Sequence, residues 1–290
     1  MRQPAFDRNA VTWRVRGSVL AMDERTRVMG VLNVTPDSFS DGGAYVAGSS
    51  ALDRAKAMID EGADIVDVGG ESSRPGALPV SLEEELRRTI PVIEGIVSLG
   101  SDVLISIDTT KAEVARRALE AGAHIVNDIS ACTHDVGMTS VVASSGAGVI
   151  IMHMQGTPRT MQAAPAYQDV VQEVADYLDR RITVLEGQGV RRSSVCVDPG
   201  IGFGKTTEHN VRLLAGIDKL VALGCPVLVG LSRKSFLGKL TGLEVADRLA
   251  PSLAGIAYAM IKGAHVVRVH DVKESCAVAR LMDMFKREGA

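Results

Sequence analysis

An eightfold recurrence constrains this chain more than any other feature. Short, almost wholly aliphatic runs (VMGVLN, ADIVDVG, VLISID, HIVND, GVIIMH, SVCVD, PVLVGLS and HVVRVH) alternate with helical patterns such as SSALDRAKAMIDEG and VADRLAPSLAGIAYAMIKG. The runs are rich in Val, Ile and Leu and lack a polar alternation, which is how strands covered on both faces of a parallel sheet read. Seven of them are entered through a glycine: Gly62, Gly100, Gly122, Gly146, Gly189, Gly224 and Gly263. Glycine suits the left-handed residue that stops a helix. Strand, loop, helix and glycine, repeated eight times, predict an α/β fold, a single-domain (β/α)8 TIM barrel. An open doubly wound sheet is the runner-up, and the lack of a GxGxxG after the first strand weighs against it.

The 290 residues could make two small domains, but barrels run to this length as one. Ahead of the first run, VTWRVRGSVLAM alternates apolar and polar residues around Gly17, a β-hairpin pattern. This hairpin is expected to plug the N-terminal mouth, with Trp13 in packing. The expected division is residues 1–25 as extension and hairpin, and 26–290 as barrel.

With a net charge of −3 and Lys and Arg scattered rather than clustered, the chain has no electrostatic footprint for nucleic acid or an anionic membrane. A small-molecule partner is expected. The start MRQPAFDRNA lacks an apolar signal core, and no apolar run approaches the ~20 residues of a membrane span, so a cytoplasmic location is expected. Cys132, Cys196, Cys225 and Cys276 show no CxxC spacing and read as buried thiols. The six histidines lack zinc-ligand spacing.

Barrel enzymes place their chemistry at the C-terminal ends of the strands. There the chain carries Asn33, Glu71, Asp108, Asn127 with Asp128, His153, Asp198, Arg233 with Lys234, and Arg268 with His270. Singly, Asp108 and Asp198 could be helix caps, and Met152 and Phe203 could be core. Together the strand ends predict a polar pocket. Acids and carboxamides on one side suit a heterocycle rich in N–H and C=O groups. Cations from the last two strands suit an anion, since barrels frequently bind phosphate near strands 7 and 8. Two loops, TPDSFSDGG and ESSRPGALPVS, read as lids, with ordinary turns as the alternative.

The segments GVLNVTPDSFSDGG, VGGESSRPGA, SIDTTKAEVA, NDIS, VDPGIGFGKT, GLSRKSFLG and VRVHDV, in order from residue 30 to 272, resemble the successive motifs of the dihydropteroate synthase family. That resemblance implies a (β/α)8 barrel, expected to be a homodimer. The implied reaction joins 6-hydroxymethyl-7,8-dihydropterin diphosphate to p-aminobenzoate by an SN1-like route, releasing diphosphate; sulfonamides mimic the second substrate. By motif, Asp37, Asp108, Lys234 and Arg268 become the catalytic candidates. Asp198, Asn127 and Lys234 would bind the pterin edge, beside Asp108, Met152 and Phe203. Arg268 and His270 would take the diphosphate, and Asn33 would give one oxygen to Mg2+. Ser73, Arg74, Pro75 and Ser235, with Asp37 in the first lid, would build the p-aminobenzoate pocket.

Two positions depart from the family pattern. Ser73 stands where Thr is usual, and Ala131 where Gly is usual. If residue 131 needs a positive φ, the loop after the fourth barrel strand is expected to differ locally. Three competing readings stay open. They are a pterin barrel serving methyl transfer to a corrinoid, a catalytically silent pterin-binding paralogue, and an unrelated phosphate-binding isomerase with His153 or Glu71 as base.

Overall fold

A two-stranded antiparallel hairpin, β1 (Thr12–Val15) and β2 (Ser18–Ala21), precedes eight parallel strands. The computed structural model describes residues 11–34, 44–72 and 76–288. The parallel strands are β3 (Arg27–Asn33), β4 (Ile65–Gly69), β5 (Leu104–Asp108), β6 (Ile125–Asp128), β7 (Gly148–Met152), β8 (Val195–Asp198), β9 (Leu228–Gly230) and β10 (Val266–Val269). Each lies within one of the eight aliphatic runs or extends it by a residue. They are hydrogen-bonded in the order β8-β7-β6-β5-β4-β3-β10-β9. A single parallel bridge, Val197 to Val227, closes the ring between β8 and β9.

The helices around this barrel are α1 (Ala44–Asp60), α2 (Leu82–Ser98), α3 (Ala112–Glu120), α4 (Met138–Ser145), α5 (Val170–Gly187), α6 (Thr207–Ala215), α7 (Ile217–Val221), α8 (Ser235–Thr241), α9 (Leu249–Ile261) and α10 (Val272–Glu288). All seven glycines that precede strands have positive φ, from 64° at Gly100 to 115° at Gly122. A residue with a Cβ is strained in that region, and this is why the stop is glycine each time. Among the described residues no helix is long and apolar enough to cross a membrane.

Side chains alternate faces along each strand. On one parity, Val66, Val68, Ile105, Ile107, Val149 and Ile151 join the helices in the larger apolar core. The other parity points into the barrel. Its lower residues, including Met29, Ile65, Ile125, Ile150, Leu228 and Val266, form a second apolar cluster with Trp13 and Val15 of the hairpin. Trp13 is fully buried and its Nε1 donates to the Ser194 carbonyl at 3.0 Å. The hairpin therefore plugs the N-terminal mouth, as its alternation predicts, and satisfies the one polar atom that the indole brings with it.

Candidate active site

One step further up the inward parity, apolar residues give way to polar ones. Asp108, Asn127, Met152 and Asp198 are at the C-terminal ends of four consecutive strands, β5 to β8. Register pairs Asp108 with Asn127 and Met152 with Asp198, so they form one continuous wall. Opposite, Arg268 projects from β10. Its Nε donates to Asp67 Oδ2 at 2.7 Å and its Nη2 to Asp108 Oδ2 at 2.6 Å. Asn127 Nδ2 also donates to Asp67 Oδ2, at 3.1 Å. Burial works against the charge on Arg268, but Asp67 and Asp108 together outweigh it and hold the guanidinium above its ordinary range. Burial pushes the Asp108 carboxyl up to about 7, against the pull of Arg268 and with the push of Asp67, Glu85 and Asp128.

The second half of the wall is built by the loop after β8. Asp198 Oδ1 accepts from the Gly200 N–H at 2.7 Å. Gly200 has φ 68°, and a Cβ there would lie 2.0 Å from the His153 carbonyl oxygen, so only glycine lets this loop close on the end of β7. The loop delivers Phe203, whose ring centroid lies 4.6 Å from Lys234 Nζ, a cation–π distance. Lys234 also donates to the Ile201 carbonyl. Burial lowers the Lys234 ammonium to about 8 although Asp198 pulls it up, and burial raises the Asp198 carboxyl although Lys234 and the Gly200 N–H pull it down. An acceptor pair and a cationic donor thus face one space beside an aromatic ring. That combination can read a flat heterocycle with adjacent N–H and C=O groups.

Asn33 ends β3. A Cβ built on Gly69 would lie 3.8 Å from Asn33 Oδ1 and 3.9 Å from Asp108 Oδ2, so Asn33 flanks the same wall. His270 follows β10 two residues after Arg268, with Nδ1 at 3.2 Å from Ser232 Oγ. Ser235 is the first residue of α8 and is exposed. The lid candidates Asp37, Ser73, Arg74 and Pro75 lie outside the described residues.

Comparison with known proteins decides the family. Residues 29–270 match the pterin binding enzyme family. The chain is 48% identical to the dihydropteroate synthase of Escherichia coli (strain K12) over 256 residues, which covers 88% of this chain and 90% of that one. Its fold superposes on Xanthomonas albilineans dihydropteroate synthase solved with 4-aminobenzoic acid, with a TM-score of 0.88, 44% identity, and coverage of 95% and 99%. A second structure from that organism, in complex with 7,8-dihydropteroate, gives a TM-score of 0.85 at 42% identity over 94% of this chain and 98% of that one. The chain belongs to the pterin binding enzyme family.

Within this family member, several strand-end groups serve the scaffold rather than the lumen. Arg233 forms a two-bonded ion pair with Asp271, at 2.9 and 2.7 Å. Asp128 accepts from Ser130 and Cys132 within its own turn. Glu71 takes the Val80 N–H and pairs with Lys111, fastening the two ends of the second loop. His153 is buried, with Nδ1 3.0 Å from Lys205 Nζ; burial and then Lys205 push it down to about 3. Arg233 therefore drops out of the cationic side of the pocket, where Lys234 and Arg268 remain. Neither His153 nor Glu71 stands free as a base.

Asp67 and Lys205 escaped the sequence reading. Asp67 had a signal: it is an acid in the middle of a strand rather than at its end, on the inward parity with Ile65 and Gly69. Lys205 had none beyond its place after four small or apolar residues. In the structure Lys205 Nζ, buried, bonds His153 Nδ1, the His153 carbonyl at 3.2 Å and the Phe203 carbonyl at 2.9 Å, clasping the glycine-rich loop to β7. Ala131 carries φ 56° and Cys132 φ 58°. The loop after β6 thus needs the left-handed conformation at residue 131 and imposes it on alanine.

Proposed function

We propose that the chain is a transferase of folate biosynthesis, a dihydropteroate synthase. It joins 6-hydroxymethyl-7,8-dihydropterin diphosphate to p-aminobenzoate, giving 7,8-dihydropteroate and diphosphate. The observation that carries this reading is the wall of Asp198, Lys234 and Phe203, faced by Arg268 across the lumen. Asp198 accepts from two neighbouring N–H groups of the pterin, Asn127 meets the adjoining edge, and Lys234 donates to the ring carbonyl. Phe203 and Met152 give the ring apolar neighbours.

Arg268 and His270 bind the diphosphate. The C–O bond between the exocyclic methylene and the diphosphate breaks first, and its electron pair leaves on oxygen. Charged donors arranged in advance around that oxygen stabilise the departing negative charge, while the carboxylate of Asp108 faces the positive charge left on the pterin. The arylamine nitrogen then forms the C–N bond with its lone pair and releases a proton. No strong base is needed, because the neutral amine is already nucleophilic. Asp37, Ser73, Arg74, Pro75 and Ser235 build the p-aminobenzoate pocket by resemblance and exclude water from the cation.

Among the described residues, no three His, Cys, Asp or Glu side chains are placed to share a metal ion. Asn33 offers a neutral amide oxygen beside Asp108, a donor set that suits Mg2+ arriving with the diphosphate oxygens and water rather than one held by the protein alone. When bound, Mg2+ neutralises negative charge on the leaving group. A homodimer is supported by an exposed apolar strip on adjacent helices, with Tyr258 and Ile261 on α9 and Leu281, Met284 and Phe285 on α10.

Incubating the protein with dihydropterin diphosphate, p-aminobenzoate and Mg2+ is expected to give dihydropteroate and diphosphate in equal amounts, and a chelator is expected to stop both. Pterin binding without either product would replace this reading with that of a silent pterin-binding protein.

A further inference from the structure

Asp67 is an expensive residue to place where it stands. Its side chain is fully buried between Val66 and Val68 in β4, and a buried carboxylate is unfavourable unless paired. Its pairing is concentrated on one atom. Oδ2 accepts from Arg268 Nε at 2.7 Å and from Asn127 Nδ2 at 3.1 Å, and it lies 2.6 Å from Arg268 Nη2 as an ion pair. Oδ1 has no hydrogen-bond partner among the described residues. In the barrel, β6 lies two strands to one side of β4 and β10 two strands to the other. Asp67 therefore reaches both walls of the lumen from a position midway between them.

The geometry points to Asp67 as a positioning residue that sets the diphosphate-binding and ring-binding groups together through a single carboxylate oxygen. The inference rests on the dihydropteroate synthase reading. A carboxylate only accepts hydrogen bonds, so Asn127 must turn its NH2 to Asp67 and its carbonyl away from it. The amide is thereby fixed as an acceptor toward a ring N–H. Bonds to described residues engage Nε and Nη2 of Arg268, which leaves the Nη1 end of the fork to meet an anion. Without Asp67, the guanidinium keeps only Asp108 and can rotate about that contact.

A double-mutant cycle tests this, with Asp67→Asn and Arg268→Lys made singly and together. The lysine keeps the charge and loses the fork. Two readouts are taken: binding of inorganic diphosphate by calorimetry, and kcat and KM with pterin diphosphate. Asp67→Asn is expected to weaken diphosphate binding about tenfold in the arginine background and to add little in the lysine background. Losses that multiply in the double variant would overturn the inference, since Asp67 would then act independently of Arg268. Unchanged diphosphate affinity in Asp67→Asn would overturn it as well. The calorimetric arm needs no turnover, so failure of the synthase reading, seen as no product from the wild type, is distinguishable. Should Asp67→Asn not fold, Asp67→Glu keeps the charge, shifts it by one methylene, and is read in the same cycle.

Discussion

The two ends of the barrel are built from the same eight strands and do opposite things. At the N-terminal end, inward side chains are Met29, Ile65, Ile125, Ile150, Leu228 and Val266, sealed by Trp13. At the C-terminal end the inward positions carry Asp67, Asp108, Asn127, Asp198 and Arg268. One or two residues of strand separate a dry plug from a charged pocket. The difference teaches that the lower layer provides the rigidity that lets the upper layer hold buried charges in fixed geometry, at a cost in folding free energy.

Substitutions at the two ends should therefore separate stability from chemistry. The largest expected effect is at the plug. Trp13→Ala removes a fully buried indole and strands the Ser194 carbonyl, so it should lower unfolding free energy by about 3–5 kcal/mol. Protein that remains folded should keep the wild-type KM for both substrates. Urea unfolding and steady-state kinetics on the same sample check this, and a raised KM with little stability loss would deny that the ends are separate.

Asp198→Asn reverses the pattern. It keeps the shape, and one amide oxygen replaces a carboxylate facing paired donors. Pterin affinity should fall roughly 10- to 100-fold, the loss expected for charged hydrogen bonds, while the unfolding midpoint stays or rises, because burial already disfavours that charge. Calorimetry with a pterin and a thermal melt measure the two halves; unchanged affinity would remove Asp198 from ring recognition.

The same contrast explains what could be read from the sequence. The barrel was legible because its strands are aliphatic on both parities and its seven helix stops are glycine, each with the positive φ that only glycine takes easily. The hairpin was legible from its alternation around Gly17. The pocket was partly legible, since Asp108, Asn127, Asp198 and Arg268 stand where strand-end chemistry belongs. A strand end alone does not tell which way a side chain is engaged. Arg233 and Asp128 occupy such ends, yet one pairs with Asp271 and the other caps its own turn. Asp67 was missed because it lies inside a strand, where only parity, not position, marks it as inward. Lys205 is buried by tertiary contacts to residue 153, fifty-two positions earlier in the chain, a pairing no local pattern encodes.

A smaller effect concerns pH at the charged end. Lys234 is lowered to about 8 from its ordinary 10.5, so in the free protein it loses its proton as pH rises through about 8. If its ammonium donates to the pterin carbonyl, affinity should fall above that pH by at most about tenfold per unit. Stability should move the other way. Between about 8 and 10.5 the unfolded chain binds more protons at this residue than the folded one, so the contribution to unfolding free energy rises across that window. Lys205, lowered to about 7, adds to the same trend from a lower starting pH. Pterin affinity and melting temperature measured from pH 7 to 10 should diverge, and Lys234→Met should flatten the fall in affinity relative to wild type. Identical alkaline profiles for the two proteins would take Lys234 out of the binding event.

The smallest effect tests whether the charged end also stores backbone strain. Ala131 holds φ 56° and Cys132 φ 58° in the turn that follows Asn127 and Asp128. The turn is pinned by Asp128, through the N–H groups of Ser130 and Cys132, and by Arg181 Nε donating to the Ala131 carbonyl at 3.0 Å. A left-handed alanine costs about 1–2 kcal/mol. Ala131→Gly relieves that, but it also removes a fully buried methyl group worth about 0.8 kcal/mol and gives the unfolded chain about 0.4–1 kcal/mol of extra entropy. These nearly cancel, so the net change should stay below about 1 kcal/mol in denaturant titration. Ala131→Val faces the same φ with a branched side chain in a filled site and should destabilise by more than about 2 kcal/mol. A gain well above 1 kcal/mol for the glycine variant would mean that strain outweighs packing at this turn. The rigid barrel below would then be holding a bent backbone as well as buried charges.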